Sequence, residues 1–515
     1  MRGALLVCGT GSDVGKSVVV AGLCRWLHRR GVSVAPFKAQ NMALNAAVTA
    51  DGAEIGRAQA AQAAAARVPP EAAMNPILIK PTGERHSQVV VLGRPAFDVD
   101  ARSYRRRCGE LLPVVADALA DLRARFDVVV CEGAGSAAEI NLRAGDLANL
   151  GLARTGDLPV VVVGDVDRGG VFAALHGTVA LLDAADQAHV AGFVINRFRG
   201  DPRVLAAGLE QLRGLTGRPV LGVLPHRDGL WLDVEDSLAL DAAGWDRTGE
   251  APDDPDGQLD VAVVRLPRIS NFTDADPLAA EPGVAVRFTA SAAVVARADL
   301  VVVPGTKATV DDLAWVRRTG LDRVLRQRAR AGRPILGVCG GYQLLGDRIV
   351  DHVESRRGEV AGLGLLPVDT AFAPDKVVGR PAGTAPFLGG VAVDGYEIRH
   401  GRVAVHGGEP FLRHTDGRDE GCVAGAVAGT SWHGALECDA FRRALLAWVA
   451  AATGRTWRPG PRPFAAVREE RLDRLGDLIG DHLDTTAVAE LITHGAPPGL
   501  PVVPPAGVAH TGSPA

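Results

Sequence analysis

The stretch Gly9-Thr10-Gly11-Ser12-Asp13-Val14-Gly15-Lys16-Ser17 decides how the first half of this chain folds. It follows an apolar run of strand length, Ala4-Leu5-Leu6-Val7-Cys8. It precedes residues 18–30, where apolar side chains recur at helical spacing and basic residues close the last turn. Strand, glycine-rich turn and helix are the context that a phosphate-binding loop requires. Glycines let successive N–H groups curl around phosphate oxygens, and the helix N-terminus adds positive potential. In such a loop Lys16 reaches the β- and γ-phosphates of ATP, Ser17 holds Mg²⁺ through its hydroxyl, and Gly11, Asp13 and Gly15 line the nucleotide. The spacing departs by one from the common pattern: Thr10 stands five residues before Gly15, where a glycine is usual, and Gly9 precedes it.

Outward from the loop, residues 1 to about 230 alternate apolar strands with helical stretches. Strands are expected over 4–8, 33–37, 88–92, 127–131, 159–164, 190–195 and 220–224, and helices near 16–30, 55–67, 103–125, 171–182 and 202–215. That alternation implies a doubly wound α/β domain with a mostly parallel sheet, whose ligands collect beyond the strand carboxyl ends. Polar clusters stand at those ends: Lys38-Ala39-Gln40-Asn41-Met42, Glu132-Gly133-Ala134-Gly135-Ser136, Asp165-Val166-Asp167-Arg168-Gly169-Gly170 and Asn196-Arg197-Phe198-Arg199. Phosphoryl transfer needs carboxylates to hold Mg²⁺ and cations to offset developing charge. Glu132 and Asp51 are the candidates for the first task, with Asp165 and Asp167 in reserve, and Lys38 is the candidate for the second. Asn196 is placed to hydrogen-bond a nucleotide base.

At 515 residues the chain needs at least two domains. We divide it into a phosphate-loop domain (1–245), a Pro- and Asp-rich linker (246–258), a second α/β domain (259–453), a helical C-terminal appendage (454–496) and a disordered tail rich in Pro, Gly and Ala (497–515). A net charge of −4 gives no reason to expect a nucleic-acid partner. No apolar run approaches the ~18–20 residues of a membrane span. The first strand begins too early to leave room for a signal peptide. Seven cysteines, odd in number and without a Cys-x-x-Cys pair, fit reduced thiols in a cytoplasm and give no zinc site. The sequence does not set the oligomeric state.

The second α/β domain carries its own site. An apolar strand ends in Gly337-Val338-Cys339-Gly340-Gly341-Tyr342-Gln343, the cysteine counterpart of a nucleophile elbow. A helix N-terminus lowers the thiol pKa, and backbone N–H groups, here those of Gly340 and of Gly305 in Pro304-Gly305-Thr306, can stabilise an oxyanion. His433, after the apolar stretch that ends in Thr430-Ser431-Trp432, is the candidate base.

With both sites in view, the chain resembles the cobyric acid synthase family from about residue 3 to 450. The resemblance rests on the loop around Lys16, on Phe37-Lys38-Ala39-Gln40-Asn41-Met42, on Asp51-Gly52-Ala53-Glu54-Ile55-Gly56-Arg57-Ala58-Gln59 and on the Glu132 and Asp165 clusters. In the second half it rests on Pro304-Gly305-Thr306-Lys307, the Cys339 elbow, Tyr396-Glu397-Ile398 and His433-Gly434. The first half is also similar to dethiobiotin synthetase. The resemblance implies a synthetase domain joined to a class I-like glutamine amidotransferase domain. Such an enzyme amidates the b, d, e and g carboxylates of adenosylcobyrinic acid a,c-diamide, a corrinoid, using one glutamine and one ATP with Mg²⁺ at each step. Two rivals stay open. Cobyrinic acid a,c-diamide synthase shares both domain types, and a non-catalytic switch ATPase shares the loop. The chain departs from full-triad glutaminases, which carry Glu two residues after the histidine. Here Ala435 stands there and Glu437 is the nearest acid, so a Cys339–His433 dyad is expected. Arg399 replaces the histidine of the family's Tyr-Glu-Ile-His, which moves to His400.

Overall fold

The computed structural model describes residues 1–83, 85–227, 230, 246–248 and 257–506. Its first sheet has six parallel strands: β1 (Gly3–Gly9), β2 (Val34–Phe37), β3 (Val128–Glu132), β4 (Val160–Asp165), β5 (Val190–Phe198) and β6 (Val220–Pro225), in the spatial order β6-β5-β4-β1-β3-β2. These strands read as continuous apolar runs because helices cover both faces. Leu6 and Cys8 of β1 enter one core, and Leu5 and Val7 the other. The chain runs from β1 towards β2 on one side and later to β4 on the other, so the crevice of the switch point opens at the end of β1. Register puts Val7 beside Glu132 and Gly9 beside Val163, which sets the phosphate loop between the ends of β3 and β4.

Six of the seven expected strands lie in this sheet. The seventh, Ser87–Val91, belongs to a separate four-stranded sheet with Gln40–Met42, Ile77–Pro81 and Arg94–Val99. Leu92 and Gly93 both have positive φ (45° and 75°), which turns the chain back as a tight hairpin in place of a parallel crossover.

The second main sheet comprises β7 (Asp246–Thr248), β8 (Leu259–Val264), β9 (Val284–Thr289), β10 (Leu300–Val303), β11 (Ile335–Val338), β12 (Cys422–Ala424) and β13 (Val427–Thr430), in the order β7-β9-β8-β10-β11-β13-β12. Its five inner strands are parallel, and β7 and β12 are antiparallel edges. The segment read as a linker from 246 to 258 therefore begins as an edge strand, while 249–256 lie outside the described residues.

The C-terminal helices are not an appendage. Phe464–His482 packs its Leu472, Leu475 and Ile479 into the core with Val20, Leu23, Cys24 and Leu27 of the helix Lys16–Arg29. Thr485–His494 adds Val488, Leu491 and Ile492 to the same core. The expected disordered tail is ordered through residue 506. Buried Gln187 donates to Val503 O at 3.0 Å and accepts from Val503 N at 2.7 Å, and Arg218 donates to Pro501 O at 2.8 Å. Residues 507–515 lie outside the described residues.

Ile479 is fully buried beneath the phosphate-loop helix. Ile479→Ala is expected to destabilise the first domain by about 2–5 kcal/mol through lost burial and a residual cavity. Urea unfolding checks this; a loss below about 0.5 kcal/mol, the range of surface substitutions, would return the helix to the status of an appendage.

Candidate active sites

At the phosphate loop, Lys16 Nζ donates to Gly11 O at 2.8 Å and to Gly135 O at 2.9 Å, bridging the loop to the turn after β3. Gly15 has φ 99°, and a Cβ there would lie 2.0 Å from Asn196 Nδ2. Asn196 is buried and donates from Nδ2 to Val14 O at 2.9 Å. One N–H of this amide thus holds the loop, beside the role expected for Asn196 at a nucleotide base.

Glu132, the last residue of β3, is wholly buried. One of its oxygens accepts from Ser17 Oγ at 2.8 Å and from Lys38 Nζ at 2.9 Å, and the other accepts from Gln62 Nε2. Burial alone would raise the carboxyl pKa; Lys38 outweighs it and holds the group below its ordinary range. Lys38 thus neutralises Glu132, beside the role expected for it in offsetting phosphoryl charge. Asp51 occupies the exposed turn between Ala46–Val48 and Glu54–Gly56 and accepts from Thr49 Oγ1. Among the described residues no hydrogen bond or ion pair joins it to Ser17 or Glu132. Of the expected metal set, Ser17 is fixed by the helix start and Glu132 by β3, and Asp51 stays the third expected member from its loop. Their hard oxygens suit an Mg²⁺ held mainly by phosphate and water. Among the described residues no group of three or more His, Cys, Asp or Glu side chains is placed to hold a metal ion.

Arginines crowd the loop mouth. Asp13 pairs with Arg168 at 2.9 Å and with Arg197 at 3.1 Å, and Asp165 pairs with Arg197 at 2.9 Å. Asp167, the other reserve ligand, pairs with Arg199 at 3.2 Å.

In the second domain, Cys339 stands between β11 and the short helix Gly340–Leu345 with φ 48° and ψ −110°, a strained backbone for a residue with a side chain. Cys339 N donates to Thr430 O at 2.8 Å, and Cys339 O accepts from Gln343 N at 3.0 Å, so both flanks hold the strain. The thiol lies within electrostatic reach of His433, and both side chains line one cavity. Gly305 closes the other side: a Cβ there would lie 2.9 Å from His433 Cε1 and 3.0 Å from Ser270 O. Gly340 is the first residue of the short helix and is buried against Thr306.

The expected dyad gains a third member. His433 Nδ1 donates to Asp274 Oδ2 at 2.7 Å, and Gly434 N donates to Asp274 Oδ1 at 2.9 Å. That bond fixes the tautomer and leaves Nε2 for the thiol. Burial opposes the charged imidazole, but Asp274, with Cys339 adding to it, lifts its pKa from 6.5 to about 10. Tyr396 holds His433 from the other face. Their backbones exchange two hydrogen bonds, 2.9 and 2.8 Å, and their rings stack with centroids 5.4 Å apart. Glu437, the nearest acid in sequence, turns away and pairs with Arg57 at 2.5 Å and Arg468 at 2.8 Å. It ties together the first domain, the second domain and the C-terminal helix. Asn271 makes a second tie: its Oδ1 accepts from Ala46 N at 3.0 Å, and its Nδ2 donates to Ala46 O at 3.2 Å and to Tyr396 OH at 3.1 Å.

Comparison with known proteins agrees with the division into these two domains. Residues 5–238 match the model of the CobQ/CobB/MinD/ParA nucleotide binding domain, and residues 260–441 that of the CobB/CobQ-like glutamine amidotransferase domain. Cobyric acid synthase of Frankia casuarinae is 60% identical, the match covering 98% of this chain and 99% of that protein. Cobyric acid synthases of Streptomyces avermitilis and Streptomyces coelicolor are each 58% identical, over 98% of this chain and 99% of theirs. The chain belongs to the cobyric acid synthase family. Among its described residues no helix is long and apolar enough to cross a membrane.

Two features of this cobyric acid synthase family member escaped the reading of its sequence. Asp274 lies 159 residues from His433, so no local spacing links them. The available signal was the polar run Asn271-Phe272-Thr273-Asp274-Ala275-Asp276, which had no assigned task. Arg168 and Arg197 were quoted within clusters but given no role at the loop.

Asp274→Asn is expected to bring the His433 pKa down from about 10 towards 6.5, followed by the imidazole proton resonances. The sign for stability follows from linkage. A pKa raised in the folded state stabilises fully below the unfolded value, and that benefit fades as pH rises through the folded one. Wild type should therefore exceed the variant most near 6.5 and below, with the gap narrowing as the pH approaches about 10. A gap independent of pH across that window would contradict the pairing.

Proposed function

We propose that the chain amidates the b, d, e and g carboxylates of adenosylcobyrinic acid a,c-diamide, giving adenosylcobyric acid, at the expense of ATP and glutamine. The observation that carries this reading is the pairing, in one chain, of a phosphate loop backed by Ser17 and Glu132 with a Cys339–His433–Asp274 arrangement. Near full-length identity to cobyric acid synthases supports the choice of substrate.

In the second domain, Cys339 Sγ attacks the side-chain amide carbon of glutamine while His433 Nε2 takes the thiol proton. The N–H groups of Gly305 and Gly340 receive the oxyanion. His433 returns its proton to the leaving nitrogen, ammonia departs, and water hydrolyses the thioester to glutamate. In the first domain, a corrin carboxylate oxygen takes the γ-phosphoryl group of ATP and ADP leaves. Lys16 and the loop N–H groups offset the developing charge. Ser17 Oγ, Glu132 and Asp51 would hold Mg²⁺, which would supply further charge neutralisation at the phosphates. Ammonia then attacks the acyl phosphate carbon, the amide forms and phosphate leaves.

Incubation with ATP, glutamine and either cobyrinic acid or its a,c-diamide, followed by mass analysis, tests the substrate. Gain of four amides on the diamide is expected; gain of two on cobyrinic acid and none on the diamide would identify the a,c-diamide synthase reaction instead. Cys339→Ala is expected to abolish glutamine-dependent amidation and to retain amidation from high ammonia, because the thiol serves only to release ammonia. Loss of both would overturn the division into two sites. Glu132→Gln keeps the shape and removes the charge. It is expected to raise the Mg²⁺ requirement and to slow amidation from either nitrogen source about 10-fold or more, as expected for loss of a group acting on phosphoryl transfer; an unchanged Mg²⁺ titration would place the metal elsewhere.

A further inference from the structure

The cavity in front of Cys339 and His433 is lined in part by Lys80, Lys307, Lys376 and Glu354, and its charges do not balance. Glu54, wholly buried, accepts from Lys80 Nζ on one carboxylate oxygen and from Lys376 Nζ on the other. Lys307 pairs with Glu354. Arg399, also on the wall, is matched by Glu397 at 2.8 Å. His400 donates from Nδ1 to Ala373 O, and burial together with Lys307 lowers its pKa, so it adds no charge. Two ion pairs cancel, and Lys80 and Lys376 are left sharing one carboxylate. Their side chains are only 6% and 5% exposed. Burial, and then the neighbouring lysines, lower the Lys376 pKa to about 8 against the pull of Glu54.

A buried surplus positive charge is costly unless an anion enters to balance it. The cavity must admit glutamine, whose amide goes to Cys339 and whose α-carboxylate stands at the other end of the molecule. We propose that Lys80 and Lys376 read the α-carboxylate of glutamine, so that a residue of the nucleotide-binding half completes the glutaminase pocket. The inference rests on Cys339 being the glutaminase nucleophile. Lys80 lies on Ile77–Pro81 of the first domain and Lys376 on Val368–Gly379 of the second, so the pair forms only where the two domains meet.

The test uses the full chain and two substrates, L-glutamine and L-glutamine α-amide, in which a neutral carboxamide replaces the carboxylate. Glutamate release by wild type and its loss in Cys339→Ala come first; release persisting in Cys339→Ala would remove the nucleophile, and the pocket with it. With that control met, wild type is expected to favour glutamine over the α-amide in kcat/KM by about 10-fold or more, the scale of a hydrogen bond to a charged group. Lys80→Met leaves Glu54 paired one-to-one with Lys376. It should raise KM for glutamine about 10-fold and bring the preference close to unity, and Lys80→Arg should restore most of it. Lys376→Met reads the same ratio from the other domain should Lys80→Met not fold. A KM and a preference unchanged in the folded variants would overturn the proposal, since a purely structural role for the lysines would not touch discrimination between the two substrates.

Discussion

The structure depends most on the seam where the two α/β domains meet, because His433, the base we propose for the glutaminase step, is built into it. Asn271 pairs with both the N–H and the C=O of Ala46, as a strand partner would, and also holds the hydroxyl of Tyr396. Tyr396 in turn fixes the backbone and ring of His433. Ala43, Ala46, Val48, Leu78 and Val90 of the first domain bury themselves with Tyr396 and Ile398 of the second, which keeps the seam dry. Hydrogen bonds excluded from water are stronger and costlier to break, so this set defines one docking geometry.

Buried charge follows one rule on both sides of the seam. Glu132 is neutralised by Lys38, His433 by Asp274, and Glu437 by Arg57 and Arg468. Removing one member of such a pair leaves an uncompensated buried charge, which costs far more than the pair contributes. Glu54 also meets two cations, but both are buried, Lys80 at 6% and Lys376 at 5% exposed against 32% for Arg468, and this imbalance lies in the cavity before Cys339. The C-terminal helices obey a hydrophobic constraint of the same kind. They cover the helix that follows the phosphate loop, and Arg25 of that helix, almost wholly buried, is matched by Glu469 at 3.1 Å.

Much of this was legible in the sequence because it is local. Continuous valine runs marked the parallel strands, and Gly15-Lys16-Ser17 and Gly340-Gly341 after Cys339 marked the two strand-to-helix turns. What failed was non-local. The run 88–92 reads as a strand in any sheet, and only the Leu92-Gly93 turn shows that it folds back as a hairpin. Residue type put Asn196 at a strand end and Asp51 in a loop, and it does not say that Asn196 also donates to Val14 O or that Asp51 accepts from Thr49. Leu472, Leu475 and Ile479 showed a helical face without showing what covers it. Asp274 was hidden for the same reason: the triad is assembled by the tertiary fold and not by spacing.

The central claim is that docking of the two domains holds the glutaminase base in working geometry. Asn271→Ala tests it most directly, because it removes both bonds to Ala46 and the one to Tyr396 while leaving Cys339, His433 and Asp274 in place. Amidation is measured with glutamine and, separately, with high ammonia. The account predicts that the glutamine-dependent rate falls about 10-fold or more, since lost positioning of a base acts on the chemical step, while the ammonia-dependent rate stays within about twofold. An equal fall in both rates, or no change in either, would contradict it.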